Sequence, residues 1–267
     1  MMNILTKSFC GLNIGSPLKK ISIVALLCGT SATALAHTQW LKPSTFNTAL
    51  DERAVWVTGQ LSMAENAFVT ERGLIAKSTL ILPDGKSLEM TDVYEGKTSS
   101  LFDFELTESG TYKIDSVIGP RLRKARKPKD PTKKSRPASR TVNRLTTYIT
   151  ADAPTDGVIK AEGTWLEIIP VTHPADLVEG EPASFKVLYE GKPLAEQTLT
   201  LIVSGGEYQN QKTDKEYLSD SEGIVTVELI KTGVYLIKSS HQIKLKGDPE
   251  AKVLRASAGL TFEAQLN

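Results

Sequence analysis

Along most of this chain apolar and polar residues alternate with a period of two, which puts successive side chains on opposite faces of a strand. The alternation comes in short runs, over 53–60, 78–83, 101–106, 111–117 and 144–150, each bounded by Gly, Pro or Asp. After Pro154 it resumes over 165–170, 183–189, 197–203, 224–230, 234–239 and 254–262. No stretch keeps a helical period through three turns. Short strands at this spacing predict an all-β chain of packed sandwiches, not an α/β sheet.

Part of the pattern occurs twice. Phe102, Phe104, Leu106, Gly110, Tyr112 and Ile114 are matched, 123 residues on, by Val225, Val227, Leu229, Gly233, Tyr235 and Ile237. Each copy reads as a strand, a tight turn and a second strand carrying Gly-x-Tyr, so the chain is expected to hold two related domains. The alternation puts Phe102, Phe104 and Leu106 on one face, and both tyrosines are expected to pack at a sandwich corner. A shorter echo, Asp84-Gly85-Lys86 against Glu190-Gly191-Lys192, predicts two hairpin turns.

Composition changes the picture at the N terminus. Lys7, Lys19 and Lys20, an apolar run over 21–28 and small residues ending in Ala34-Leu35-Ala36 follow the order of a secretory signal peptide, 1–36. The apolar run is shorter than the about 20 residues of a permanent span. Cleavage after Ala36 predicts a soluble periplasmic protein that starts at His37, with a first β-sandwich domain over 37–153 and a second over 154–267. Cys10 and Cys28 both fall in the removed segment, which excludes disulfides and thiolate ligands from the mature chain.

Charge changes it again in the middle. Lys and Arg number 32 against 31 Asp and Glu, yet residues 120–144 hold eleven basic residues and only Asp130 in opposition. With Pro120, Pro128, Pro131 and Pro137 and little to bury, the segment is expected to be a long, mobile loop of the first domain. It is read either as a solvated linker or as a contact for an anionic surface, lipid headgroups or an acidic partner. No aromatic is interleaved for base stacking, and export argues against nucleic acid.

Four short motifs stand in order along the chain: His37-Thr38-Gln39-Trp40-Leu41-Lys42-Pro43; Leu166-Glu167-Ile168-Ile169-Pro170 followed by His173-Pro174; Gly191-Lys192-Pro193-Leu194; and Gly233-Val234-Tyr235 leading to His241. By their order and spacing the mature chain resembles the periplasmic domain-of-unknown-function family filed under nickel-uptake substrate-specific components, the NikM-like group. The resemblance implies two immunoglobulin-like β-sandwiches and a role beside nickel or cobalt uptake, with a membrane metal transporter or outer-membrane receptor as partner. The chain departs from it in its long basic segment and in lacking the C-terminal membrane helix that some members carry.

The residues suggest a metal on their own terms. As residue one, His37 would offer its α-amine and imidazole Nδ1 to one ion, and an imidazole from His173 or His241 would complete a three-nitrogen set. Such a set suits Cu(II), then Ni(II) or Co(II). The amine, with an ordinary pKa of about 7.7 to 8.0, gives up its proton to a metal near neutral pH. His173 is held extended by Pro174, and His241 ends the strand begun at Gly233; strand ends are where loops build sites. Glu65 is read either as a further oxygen ligand or as a solvated carboxylate.

Catalysis is not expected. The chain has no H-E-x-x-H, no G-x-S-x-G and no glycine-rich phosphate loop. No spacing selects His173, Asp176 and Ser204 as a triad, and Asp220-Ser221-Glu222-Gly223 reads as a turn before it reads as a calcium loop. The function expected is therefore that of a periplasmic transition-metal-binding accessory protein assisting nickel, cobalt or copper handling. Two other readings are a copper-dependent oxidase using an N-terminal histidine brace and a metal-free interaction module. An oxidase acting on polysaccharide would need an exposed aromatic platform, and aromatics make up 6% of the chain.

Overall fold

The alternating runs become strands close to where they occur. The computed structural model describes residues 39–50, 78–90, 93–96, 100–127, 132, 135–204 and 214–267, and the backbone alone of 53–60. The strands before residue 153 are β1 Gln39–Pro43, β2 Asn47–Thr48, β3 Arg53–Gln60, β4 Ser78–Ile81, β5 Ser87–Glu89, β6 Tyr94–Glu95, β7 Ser100–Glu105, β8 Gly110–Arg123 and β9 Ser139–Ala151. Those after it are β10 Leu166–Pro170, β11 Pro182–Tyr189, β12 Lys192–Pro193, β13 Thr198–Val203, β14 Lys215–Leu218, β15 Ile224–Glu228, β16 Gly233–Lys244 and β17 Val253–Ala264.

A nine-stranded sheet, β14-β13-β16-β17-β9-β8-β4-β5 with β2 beside the end of β9, runs through both halves of the chain. A second sheet, β1-β3-β7-β6, packs on it around Leu41, Phe104, Leu106, Tyr112, Ile114, Leu145 and Ile149. A third, β10-β11-β12 with β15 on β11, packs around Phe185, Val187, Val225, Val227, Leu201, Tyr235, Leu260 and Phe262. Strand β9 shows that the two covers lie on opposite faces: Leu145 and Ile149 enter the first core, whereas Tyr148 enters the second. The fold is thus all-β, with two immunoglobulin-like β-sandwich domains that share one sheet.

The shared seam is β9 against β17, paired in parallel from Val253↔Ser139 to Thr261↔Thr147. The chain leaves one sandwich for the other after β9, near the expected boundary at 153, but the sheet does not break there. The described residues belong to one compact unit.

The repeated Gly-x-Tyr is a repeated corner. Tyr112 Oη donates to the Glu108 carbonyl at 2.8 Å and accepts from the Glu108 N–H at 2.8 Å. Tyr235 Oη does the same with Lys231, at 2.7 Å and 3.1 Å. Each hydroxyl closes the turn four residues before it, so a buried ring satisfies its polar end on backbone.

The basic segment departs from expectation. Its described residues are not a loop: 120–123 end β8 and 139–144 begin β9, and the two pair through Arg121↔Thr141, Leu122↔Arg140 and Arg123↔Ser139. The ribbon continues to Arg126↔Arg136, whose backbones exchange N–H···O bonds of 3.0 Å and 2.9 Å. Between Ile118 and Arg121 the ladder carries a bulge. Gly119 sits in it with φ +122°, and an added Cβ would meet the Thr141 carbonyl, so only glycine fits. Composition predicted a loop because it counts what a segment can bury. This ribbon is held by backbone bonds, and at its base β9 is flanked by β8 on one side and β17 on the other.

Candidate functional site

The expected signal segment 1–36, His37 and Glu65 lie outside the described residues. The other two histidines are placed, and they are not together.

His173 precedes the 3-10 turn Pro174–Asp176 and caps it, its Nδ1 accepting the Ala175 N–H at 3.0 Å. Accepting there requires the proton on Nε2, which stands 3.3 Å from the Thr155 carbonyl and 3.1 Å from Thr111 Oγ1. Both ring nitrogens are engaged, and neither has a lone pair to give a metal. The role is local: His173 ties the start of the second half to the Thr111 end of β8.

His241 is the opposite case. Its Nδ1 lies 3.1 Å from Gln197 Oε1, and that amide is oriented by its own Nε2, which donates to Ser239 Oγ at 2.9 Å and to the Ser240 carbonyl at 3.1 Å. An amide oxygen only accepts, so Nδ1 carries the proton and Nε2 keeps its lone pair. The ring packs on Tyr189 with centroids 5.3 Å apart.

The sheet register separates the two. His241 pairs with Ala256, which pairs with Val142; His173 touches Thr111, which pairs with Thr150. Val142 and Thr150 stand eight residues apart on β9, so the histidines lie about 25 Å apart along the sheet at about 3.3 Å per residue. Among the described residues no three His, Cys, Asp or Glu side chains gather as a metal site.

The described chain starts at the His241 end. Gln39 Oε1 accepts from Asn143 Nδ2 at 3.4 Å, and Asn143 is also tied to Ser257, the partner of Ser240. Strand β1 covers the face of the sheet opposite His241. Pairing of β13 with β16 stops at Leu199↔Ser239, so among the described residues no strand pairs with the outer edge of β16 from Ser240 to Lys244, and Gln197 holds the Ser240 carbonyl there.

Sequence reasoning missed a buried ionic network between the two halves. Arg144, 5% exposed, contacts Asp115 and Glu167 at 3.2 Å each and donates to the Thr164 carbonyl at 2.8 Å. Glu167, 1% exposed, also accepts the N–H groups of Glu162 at 2.8 Å and Thr164 at 3.0 Å. Lys113, 2% exposed, pairs with Glu162 at 2.8 Å. Burial pushes the Glu162 carboxyl up, but the Lys113 ammonium together with Arg144 and Lys160 holds that carboxyl below its ordinary value. Tyr148 lies in the same layer with its hydroxyl unpartnered, and burial, reinforced by Asp115, pushes its ionisation far above the ordinary range. Every carboxylate here is committed to a cation or backbone donor, which suits a lock between β8, β9 and β10 better than proton transfer. In sequence, Lys113 and Asp115 look like the solvent face of an alternating strand; only the cover formed by 160–165 and the start of β10 shows that Lys113 is buried and Asp115 mostly so.

A family model described as a domain of unknown function (DUF4198) matches residues 34–243. The chain belongs to that family. The matched span takes in His37, His173 and His241 and stops inside β16. No curated protein matches the chain. Solved structures it is similar to include the D0-D1 domain of intimin, with 11% identity, TM-score 0.22, and 85% of this chain and 98% of that one covered. Others are the trypsin-activated alpha-2-macroglobulin of Escherichia coli, with 14% identity, TM-score 0.26 and coverage of 85% and 16%, and murine CEACAM1b, with 12%, 0.21, and 86% and 100%. Among the described residues no helix is long and apolar enough to cross a membrane.

Proposed function

We propose that this DUF4198 chain is an exported, non-catalytic accessory protein that binds a transition-metal ion of the copper, nickel and cobalt group and assists its handling or uptake. The observation that carries the reading is the Gln197–His241 pair. Metal-ligating imidazoles as a rule donate their second ring N–H to an oxygen that fixes tautomer and orientation, and Gln197 Oε1 is such an oxygen. His241 Nε2 is the imidazole ligand of this proposal, and His173 has no part in it.

The terminal chelate of the mature chain supplies the remaining nitrogens. Export with cleavage after Ala36 would start the protein two residues before Gln39, whose bond to Asn143 anchors it one sheet row from His241. Because β1 and His241 occupy opposite faces, the two ligands meet around the outer edge of β16, not through the sheet.

Calorimetric titration of the purified mature protein with Cu(II), Ni(II) and Co(II) tests this. His37→Ala and His241→Ala should each weaken the tightest-bound ion at least about 10-fold, and His173→Ala should leave it unchanged. Unchanged affinity in His241→Ala would remove the proposed ligand; equal losses in all three variants would show that the effect is one of folding.

A further inference from the structure

We propose that the ribbon formed by the far ends of β8 and β9 is a docking arm for a phosphate-bearing membrane surface. The described part of the arm carries Arg121, Arg123, Lys124, Arg126 and Lys127 on one strand and Arg136 and Arg140 on the other, with no acidic residue among them. Arg126 stands directly opposite Arg136. Like charges in a cross-strand pair repel, and sheets ordinarily oppose unlike ones, so this arrangement disfavours the arm until an anion lies between the two guanidinium groups.

The local acids do not relieve it. Asp248 and Glu250, in the turn between β16 and β17, are both taken by Arg140 at the base of the arm, at 2.5 Å and 3.0 Å. Arg123, Lys124, Arg126, Lys127 and Arg136 are exposed and have no ion pair among the described residues. Alternation sends Lys124, Arg126 and Arg136 to one face and Arg123 and Lys127 to the other, so the arm presents cations all round.

The choice of occupant follows from what the arm lacks. Leu122 is its only large apolar residue and is half-buried, so there is no anchor of the kind that dominates protein–protein interfaces and nothing to insert into hydrocarbon. There is no aromatic to stack on a base. What remains is a dense set of guanidinium and ammonium groups. These match a layer of phosphates, where affinity grows with the number of charges and does not need a shaped pocket. Docking would bring the His241 end of the sheet to the membrane, since His241 shares a sheet row with Val142, two residues from Arg140. The inference does not rest on the metal reading.

The test is sedimentation of the purified protein with vesicles of phosphatidylglycerol and phosphatidylethanolamine in equal parts, against vesicles of phosphatidylcholine. Binding should be confined to the anionic vesicles and should fall at least about 10-fold between about 50 mM and about 500 mM salt, as the Debye length contracts. Replacing Arg123, Lys124, Arg126, Lys127 and Arg136 together by Gln should lower the partition coefficient at least about 30-fold, and Arg126→Gln with Lys127→Gln about 5-fold. The double variant keeps the test valid should the fivefold one fail to fold. Partition that is unchanged in the double variant, or equal on phosphatidylcholine, would overturn the proposal. Displacement by about 10 mM inorganic phosphate at constant ionic strength would assign the arm to a soluble anion, and tighter binding to duplex DNA at the same salt would assign it to nucleic acid; either overturns it.

Discussion

Gln197 Oε1 holds His241 Nδ1 at 3.1 Å while its own Nε2 is tied to Ser239 and Ser240, so one amide fixes which ring nitrogen of His241 faces outward. Removing that brace frees the ring to rotate and change tautomer. Gln197→Leu is expected to lower metal affinity about 10-fold to 100-fold with His241 still present. Titration of wild type and variant with the same ion decides it, and equal affinities would mean that the bond is only structural.

His173 gives the contrasting expectation. Its side chain caps a turn and bonds Thr155, so His173→Ala leaves the Ala175 N–H without its cap and the Thr155 carbonyl without a donor. A loss of about 1–3 kcal/mol of stability is expected, read from the urea midpoint, with metal binding intact.

The Arg144 network should be the most sensitive point of the fold. Arg144→Met keeps the volume but strands Asp115 and Glu167 without their cation, which is expected to cost about 3–5 kcal/mol. Glu167→Gln leaves Arg144 paired with Asp115 and keeps one oxygen for either the Glu162 or the Thr164 N–H, which bond different carboxylate oxygens, while its NH2 faces the other; it should cost less than Arg144→Met. Denaturant melts that rank the two in the reverse order would show that the backbone bonds, and not the ion pairs, carry the lock.

At the base of the arm, Asp248 has a carboxyl held at about 2 by the Arg140 guanidinium, helped by the N–H groups of Glu250 and Ala251. A carboxyl depressed in the folded state stabilises it fully above the ordinary value of 3.8 and loses that contribution as pH falls through about 2. A carboxyl-carbon titration followed by NMR should place Asp248 near that lower value, and Arg140→Gln should raise it. Titration of Asp248 in its ordinary range in the wild type would show that the tie to Arg140 does not persist in solution.

Tyr112→Phe and Tyr235→Phe each delete a hydroxyl that bonds backbone four residues earlier. Each should cost about 1 kcal/mol. The rings sit in different cores, so the double variant should lose the sum within about 0.5 kcal/mol, and a larger discrepancy in thermal or denaturant melts would indicate coupling through the shared sheet.

Much of the architecture was legible in the chain itself. Parity along each run names the residues that share a face, which is why Phe104 and Leu106, and Val225 and Val227, are found buried together. The Gly-x-Tyr repeat likewise marks two equivalent corners. The candidate site was legible only in part: its residue types were visible, but the spacing that separates His173 from His241 was not. That distance depends on Ala256 lying beside Val142, a contact between residues more than a hundred positions apart.

By itself, then, the sequence determined the strands, their faces and the corners, and it named the histidines, because those follow from local stereochemistry and side-chain identity. Tertiary structure alone decided three things: that one sheet carries both sandwiches, that Lys113 and Arg144 are buried with Asp115 beside them, and that the described parts of the basic segment pair as a ribbon. The physical reason is common to all three. Parity says which side chains share a face but not what covers it, and backbone pairing between distant strands depends on register, which hydrophobic content does not encode.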